Sequence, residues 1–571
     1  MIKKLFKQML LTQILSSMTV MLCMLIDSIV IGRFLGVDSM TAYGFSTPIL
    51  LVFAALGNMV SAGVQVLCGK AMGSGDRKGA HACFSVSVFI MLAISVVGVA
   101  GVMLFTDQIC EILGAGKPTP DNDVFFLTKD YLRGFIIGAP AFLSAQIMVP
   151  YMQISGERLR LVIAVALMTV SDIIFDILNV LVFDGGTFGM GLASSLSYYI
   201  AFIIGVLYFF KRDCLFRFRL RLIKAKVIGH LIRDGMPTLI NQISLVLLMY
   251  SFNTMLADVG GNHAVAAYSV ISSVGNICYS FGSGIAAVAL MLSSIFYSDE
   301  DRGTLIHLVF TMTTVAIVIC GAVTALVLIF AEPMVMLFLN DADAKGMAIT
   351  GLRFFALSLV PCAINTNFKN FYQGIDRAVL TQAISILQNF ALTALAAFVL
   401  SRFMGVNGIW MGFVTGETLT LVVISAIVFI SRKKVKISGE AFSLLPDSFG
   451  QSDHTPLEMM LTSPEDVEKA SAAVAGYCRE NGLGEGLDTE LPEDVRVMCQ
   501  SIVENGFAGR KKRWIEMRLI DKNGTPVLRI RDNCESFNPY KYLKQTGKDL
   551  SRISVADYAN SLGLNSLKLI Y

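Results

Sequence analysis

The sequence predicts a polytopic α-helical membrane protein of twelve spans, built as two six-helix halves and followed by a small C-terminal α+β domain. Three observations carry that prediction. Uncharged runs such as Ala82 to Thr106 and Leu308 to Ala331 exceed the roughly 20 residues a helix needs to cross the hydrocarbon layer, and similar runs recur to about residue 431. A hydrophobic content of 54%, a charged content of 16% and a mean hydropathy of +0.65 over 571 residues lie outside the range of soluble domains. The apolar segments also repeat, the first six resembling the second six at an offset near 220 residues.

In order, the spans fall at about 8–32, 44–69, 82–106, 130–154, 159–183, 188–210, 234–256, 264–296, 305–331, 348–372, 378–401 and 408–431. Lys3, Lys4 and Lys7 precede the first. No small-residue cleavage site follows and the run continues past Asp27, so it reads as a span and not a signal peptide. Alternate loops carry the basic charge: Lys70, Arg77 and Lys78; Arg158 and Arg160; the stretch from Lys211 to Lys226; and Arg432 to Lys436. The opposite loops hold few cations, mainly Arg33, Lys117, Lys129, Lys345 and Arg402. Lys and Arg near span ends stay on the cytoplasmic side, so a cytoplasmic-membrane protein with both termini in the cytoplasm is expected.

The repeat is visible residue by residue: Ala42-Tyr43 recurs as Ala267-Tyr268, Gly63 as Gly284, Gln153 as Gln373 and Gly191 as Gly412. Six is even, so both halves begin on the same side and the repeat is parallel. A solute path is then expected between residues 1–222 and 223–436, opened to either side by rocking of the halves. A polar linker at 437–455 leads to a soluble domain at 456–571.

Residues 8–431 resemble the multidrug and toxic compound extrusion (MATE) family. The residues that carry the resemblance are the run from Asp27 to Gly36, Gly73-Ser74-Gly75-Asp76 after span 2, Gln153 and Gly156 after span 4, Asp176 in span 5, and Gly235-Met236-Pro237 opening span 7. The resemblance implies export of amphipathic, often cationic, compounds driven by inward movement of protons or sodium ions. The chain departs from the pattern at Ser293 to Arg302, which lacks the glycine-rich turn, and at Asp172, where the family often has asparagine.

An ionised side chain in hydrocarbon is costly, so acids within spans are candidate functional groups. Asp27 lies about five residues, roughly 8 Å, from the expected outer boundary, and Asp176 about seven residues, some 10 Å. Asp172 stands one turn deeper on the same helical face as Asp176. The three are expected to share one cavity in the first half and to carry the coupling proton or a sodium ion. Two carboxylates at i and i+4 in a low-dielectric site repel unless one is neutralised, and a neutralised Asp27 would loosen the hold on a cationic solute. The competing structural reading is that each Asp caps a broken helix or bonds a neighbouring backbone group.

In the second half Asp27 corresponds to Asn253, at an offset of 226. Glu417 stands alone near mid-depth of span 12, and Asn253 and Glu417 are the candidate substrate-cavity residues. Lys369, with Asn365, Asn367 and Asn370 at the end of span 10, is expected to reach for the cytoplasmic interface. The 28 methionines and 38 phenylalanines suit a deformable apolar cavity but are also ordinary lipid-facing residues.

After the linker, Pro464 to Glu480 and Pro492 to Phe507 read as amphipathic helices. Trp514 to Ile520 and Pro526 to Arg531 read as strands around the Asn523-Gly524 hairpin turn. Ile530 to Pro539, with Asn505 before it and Leu562-Gly563-Leu564-Asn565 after it, resembles the anti-sigma-factor kinase branch of the GHKL ATPase fold. The resemblance implies that Asn505 would help hold magnesium on nucleotide phosphates and Asp532 would accept from adenine, with Asn533 and Gly563 beside them. Ser501 occupies the position of the general-base glutamate and Cys534 that of a glycine, so ATPase or kinase turnover is not expected and a regulatory or docking role is preferred.

Net charge of +3 with basic residues confined to loops argues against a nucleic-acid partner. The eleven cysteines have neither zinc nor disulfide spacing. The expectation is a monomeric secondary transporter that needs no cofactor. Its partners would be membrane lipid, a small amphipathic or cationic substrate and a cytoplasmic regulatory protein. The alternatives are a lipid-linked sugar flippase of the same superfamily and a membrane sensor with an ATPase-like output domain, for which His454 would be the phosphoacceptor.

Overall fold

The computed structural model describes residues 2–571 apart from 75, 114, 116, 118, 120–121, 211–213, 337, 339–341, 433–438, 447–448, 451–453, 484–485, 508–513, 523, 535–536 and 562–563. Backbone groups in hydrocarbon must bond within their own segment, which long apolar sequences achieve as helices. The first half contains α1 (Ile2–Val30), α2 (Val37–Gly73), α3 (Arg77–Leu104), the short α4 (Thr106–Leu113), α5 (Asp123–Ile154), α6 (Arg158–Leu178) and α7 (Gly186–Phe209). The second contains α8 (Ala225–Ser298), α9 (Arg302–Met336), α10 (Ala342–Gly374), α11 (Ala378–Ile386), α12 (Leu392–Met404) and α13 (Val406–Arg432).

Two spans share α8, which breaks at Gly261, where a φ of 65° is open to glycine. Conversely α11 and α12 form one span, joined by a single π turn over Leu387–Ala391. By length and composition, eleven segments among the described residues can cross a membrane, and α1 contributes a shorter apolar stretch at Met9–Met18. Helix starts follow local capping: Asp76 accepts from the Gly79 N–H at 2.9 Å at the head of α3, and Asn122 from the Phe125 N–H at 3.2 Å at the head of α5.

The halves pack tightly at one end of the bundle. A side chain at Gly69 or Gly73 of α2 would run into Ser294 or the Ile295 carbonyl of α8, so glycine permits the close approach. At the same seam Ser294 Oγ donates to the Gln65 carbonyl at 2.8 Å, Ser298 Oγ donates to the Lys70 carbonyl at 2.6 Å, and Lys70 pairs with Asp376 at 2.9 Å.

The C-terminal segment sits on this same end. Its five antiparallel strands are β1 (Leu457–Leu461), β2 (Ile515–Lys522), β3 (Thr525–Asp532), β4 (Val555–Ser561) and β5 (Leu564–Ile570), in the order β1-β2-β3-β5-β4. The sheet alternates: Ile515, Met517, Leu519, Leu528, Ile530, Leu567 and Leu569 are buried in a core with α15 (Pro464–Glu480) and α16 (Leu487–Ser501). The predicted hairpin pairs Ile515 with Asp532 through Lys522 with Thr525. The second predicted helix begins at Leu487, not Pro492, because the Thr489 and Glu490 N–H groups already close a turn on the Gly486 carbonyl, at 3.2 and 3.1 Å.

Part of the expected linker is packed. The short helix α14 (Gly439–Ser443) follows α13, and Phe442 stacks on Phe368 at 5.1 Å while Phe449 stacks on Tyr297 at 4.9 Å. Phe442 and Phe449, aromatic residues in a largely polar stretch, supply the adhesion.

A buried carboxylate cluster between α1, α6 and α7

The geometry of the first half begins with two close approaches. Gly134 of α5 and Gly191 of α7 each lie where a Cβ would strike the other helix's backbone, so α7 seats directly on α5. At the end of α6, Asn179 Nδ2 donates to the Gly186 carbonyl at 3.0 Å, with Gly185 and Gly189 leaving room for its side chain. These contacts hold the serine-bearing face of α7 against α6.

Asp27 of α1 and Asp172 and Asp176 of α6 converge there. Their exposures are 6%, 2% and 0%, and one oxygen from each lies within 4.8 Å of the others. Ser197 Oγ donates to Asp172 Oδ1 at 2.9 Å, and Ser194 Oγ lies at 3.4 Å from Asp27 Oδ2 as its donor. Among the described residues, Asp27 Oδ1 and both oxygens of Asp176 are buried with no hydrogen-bond partner outside the cluster itself. Three acids that share so small a volume with so few donors cannot all be ionised without a proton or a cation among them. Carboxylate oxygens suit a hard cation, so the set fits sodium as well as protons. Ser194 and Ser197 were not singled out in the sequence. Their only signal is a Ser-Ser-x-Ser cluster in an apolar span.

The second half holds a different polar cluster. Asn365 Nδ2 donates to Glu417 Oε2 at 2.8 Å, and Gln388 Nε2 lies at 3.4 Å from Glu417 Oε1. Lys369 does not reach for the membrane interface. It is 4% exposed, and its Nζ donates to Asn241 Oδ1 and, at 3.4 Å, to Gln388 Oε1. The π turn explains this: it turns two consecutive residues, Gln388 and Asn389, inward together, and Asn241 accepts from both Asn389 and Lys369. Asn253 is exposed on α8, outside this buried network.

In the C-terminal segment, Asp532 is buried, and its Oδ1 accepts from the Cys534 N–H at 2.9 Å and from Asn565 Nδ2 at 2.8 Å. Asn533 Oδ1 accepts from the Trp514 N–H at 3.0 Å, and Asn505 Nδ2 donates to the Ser501 carbonyl at 3.1 Å on its own helix. Asp532 Oδ1 and Asn533 Oδ1 are thus engaged in internal bonds, while Gly563 lies outside the described residues.

Comparison with known proteins places this geometry in context. The MatE family model matches residues 13–178 and 237–399. The multidrug export protein MepA of Staphylococcus saprophyticus subsp. saprophyticus is 24% identical over 408 residues, covering 71% of this chain and 88% of that protein. MepA of Staphylococcus aureus strain MSSA476 is 22% identical over 401 residues, covering 70% and 87%. Among solved structures, an outward-facing multidrug resistance MATE family transporter of the MOP superfamily aligns with a TM-score of 0.70 at 21% identity, covering 74% of this chain and 94% of that one. A mutant of the Vibrio cholerae MATE transporter VcmN aligns with a TM-score of 0.70 at 17% identity, covering 76% and 98%.

Proposed function

The chain belongs to the MatE family, and from that premise we propose that it is an ion-driven antiporter that exports small amphipathic, often cationic compounds across the cytoplasmic membrane. The observation that carries the reading is the Asp27, Asp172 and Asp176 cluster, whose unpartnered oxygens need a proton or sodium ion when substrate is absent. Entry of that ion neutralises the group that would hold a cationic substrate, so the two occupy the site in turn. Mutually exclusive binding, together with alternating access between residues 1–222 and 223–436, is antiport. The family's transporters named as multidrug exporters support the substrate class. The distribution of Lys and Arg supports cytoplasmic termini.

The C-terminal domain, residues 456–571, is read as a GHKL-type fold without nucleotide turnover, because Ser501 cannot act as a general base near neutral pH. It serves regulation. The decisive experiment loads vesicles with a cationic dye and imposes a proton gradient, then a sodium gradient. Asp27→Asn should abolish gradient-driven export by either ion while the protein stays in the membrane; export equal to wild type would remove Asp27 from the mechanism.

A further inference from the structure

In a sheet covered by helices on one face, the other face ordinarily meets water and carries charge. Here that face bears Arg518 opposite Arg529 and Glu516 opposite Arg531, in register across β2 and β3. Yet Arg529 is 4% exposed and Arg531 7%. The burial comes from the turn between α8 and α9, Asp299-Glu300-Asp301, which the sheet covers. Arg529 pairs with Asp299, Arg531 pairs with Asp299 and, at 2.9 Å, with Asp301, Arg518 pairs with Asp301 at 3.2 Å, and Lys522 pairs with Glu300. The Arg531 guanidinium also lies 5.4 Å from the centre of the Phe296 ring at the end of α8. This anchors the sheet to the second half.

The other edge of the sheet reaches the first half. Arg77, the first residue of α3, donates from Nε to the Tyr558 carbonyl of β4 at 3.1 Å, and its guanidinium lies 5.3 Å from the Tyr558 ring centre. One sheet therefore holds the start of α3, which follows α2, and the turn that follows α8; α2 and α8 are the helices whose Gly69, Gly73, Ser294 and Ser298 contacts close this end of the bundle. Both attachments oppose parting of the halves here.

We propose that the C-terminal domain is a latch that keeps the halves together at the expected cytoplasmic end, and that opening toward this side requires the sheet to release either the acidic turn or Arg77. The proposal rests on the alternating-access reading above. A cavity of about 210 Å³ lies within the second-half attachment, lined by the three arginines with Asp301, His307, Glu458 and Glu516. A charged seam with room for water is suited to release, unlike a dry apolar interface.

The test uses spin labels on the full chain at Leu159→Cys and Val379→Cys, repeat-related positions that begin α6 and α11 and are 74% and 81% exposed. Ten native cysteines are buried and Cys362 is partly so, which favours labelling of the introduced pair. Asp299→Ala with Asp301→Ala should add a longer-distance population that the parent lacks. Arg77→Ala, an exposed single change that threatens no core, should do the same. Two further pairs, Leu159→Cys with Met460→Cys for Arg77→Ala and Val379→Cys with Met460→Cys for the Asp299 and Asp301 variant, report whether the domain has left the half whose attachment was cut. Distances between the halves that match the parent in both variants, with the domain displaced, would overturn the latch. The readout needs neither gradient nor substrate, so loss of the antiport reading in the Asp27→Asn assay would be a separate result.

Discussion

Among the described residues, Asp176 buries both carboxylate oxygens with no donor outside the acid cluster, whereas Asp172, one turn away on α6, has Ser197. That difference gives two residues of the same chemistry unequal surroundings. A hydrogen bond to a charged acceptor contributes about 1.5 kcal/mol, so Ser197→Ala should lower ion-driven export about tenfold in the dye assay without loss of protein. A variant as active as the parent would make Ser197 a packing residue. The acids themselves were legible in the sequence, because a charge in an apolar run stands out. Ser194 and Ser197 were not, since serine is common in spans and only the seating of α7 on α5 turns them toward Asp27 and Asp172. Lys369 shows the opposite failure: its distance from the span end suggested an interfacial residue, and Asn241, contributed by a helix more than a hundred residues earlier, made burial tolerable.

Single glycines decide how closely the helices approach. A Cβ at Gly134 would meet the Phe188 carbonyl and the Leu192 nitrogen of α7, while Gly101 in α3 and Gly321 in α9 face open space. Gly134→Ala should therefore lower the melting temperature in detergent, with a cost of about 1–3 kcal/mol from forced separation. Gly101→Ala and Gly321→Ala should leave it unchanged or raise it, by up to about 1 kcal/mol of helix propensity. Equal effects at the three positions would contradict the packing described. The π turn at Leu387–Ala391 belongs to the same scale: apolar periodicity located the span at 378–401, yet nothing periodic announced a turn that points Gln388 and Asn389 the same way.

Across the whole molecule, a membrane bundle and an α+β domain meet through charges that each would otherwise expose to water. The domain's candidate nucleotide residues are engaged internally, Asp532 by Cys534 and Asn565, Asn533 by Trp514. Export by the purified full chain in vesicles free of nucleotide should accordingly run on an ion gradient alone, and addition of ATP with magnesium should not change its rate. A requirement for ATP would reverse the reading of the domain. The acidic turn at 299–301 and the Arg529-x-Arg531 pattern lie far apart in the chain, and nothing along it links them.

By itself, then, the sequence determined the helical membrane class, the internal repeat, the α+β character of the appendage and the unusual acids of the first half. Those properties are local: each follows from hydropathy or periodicity within some twenty residues, or from a charge in the wrong solvent. Which donors face those acids, why Lys369 is buried and that one sheet fastens to both halves were decided only by tertiary structure. Each depends on residues from distant segments meeting at hydrogen-bond distance, and no pattern along the chain encodes that meeting.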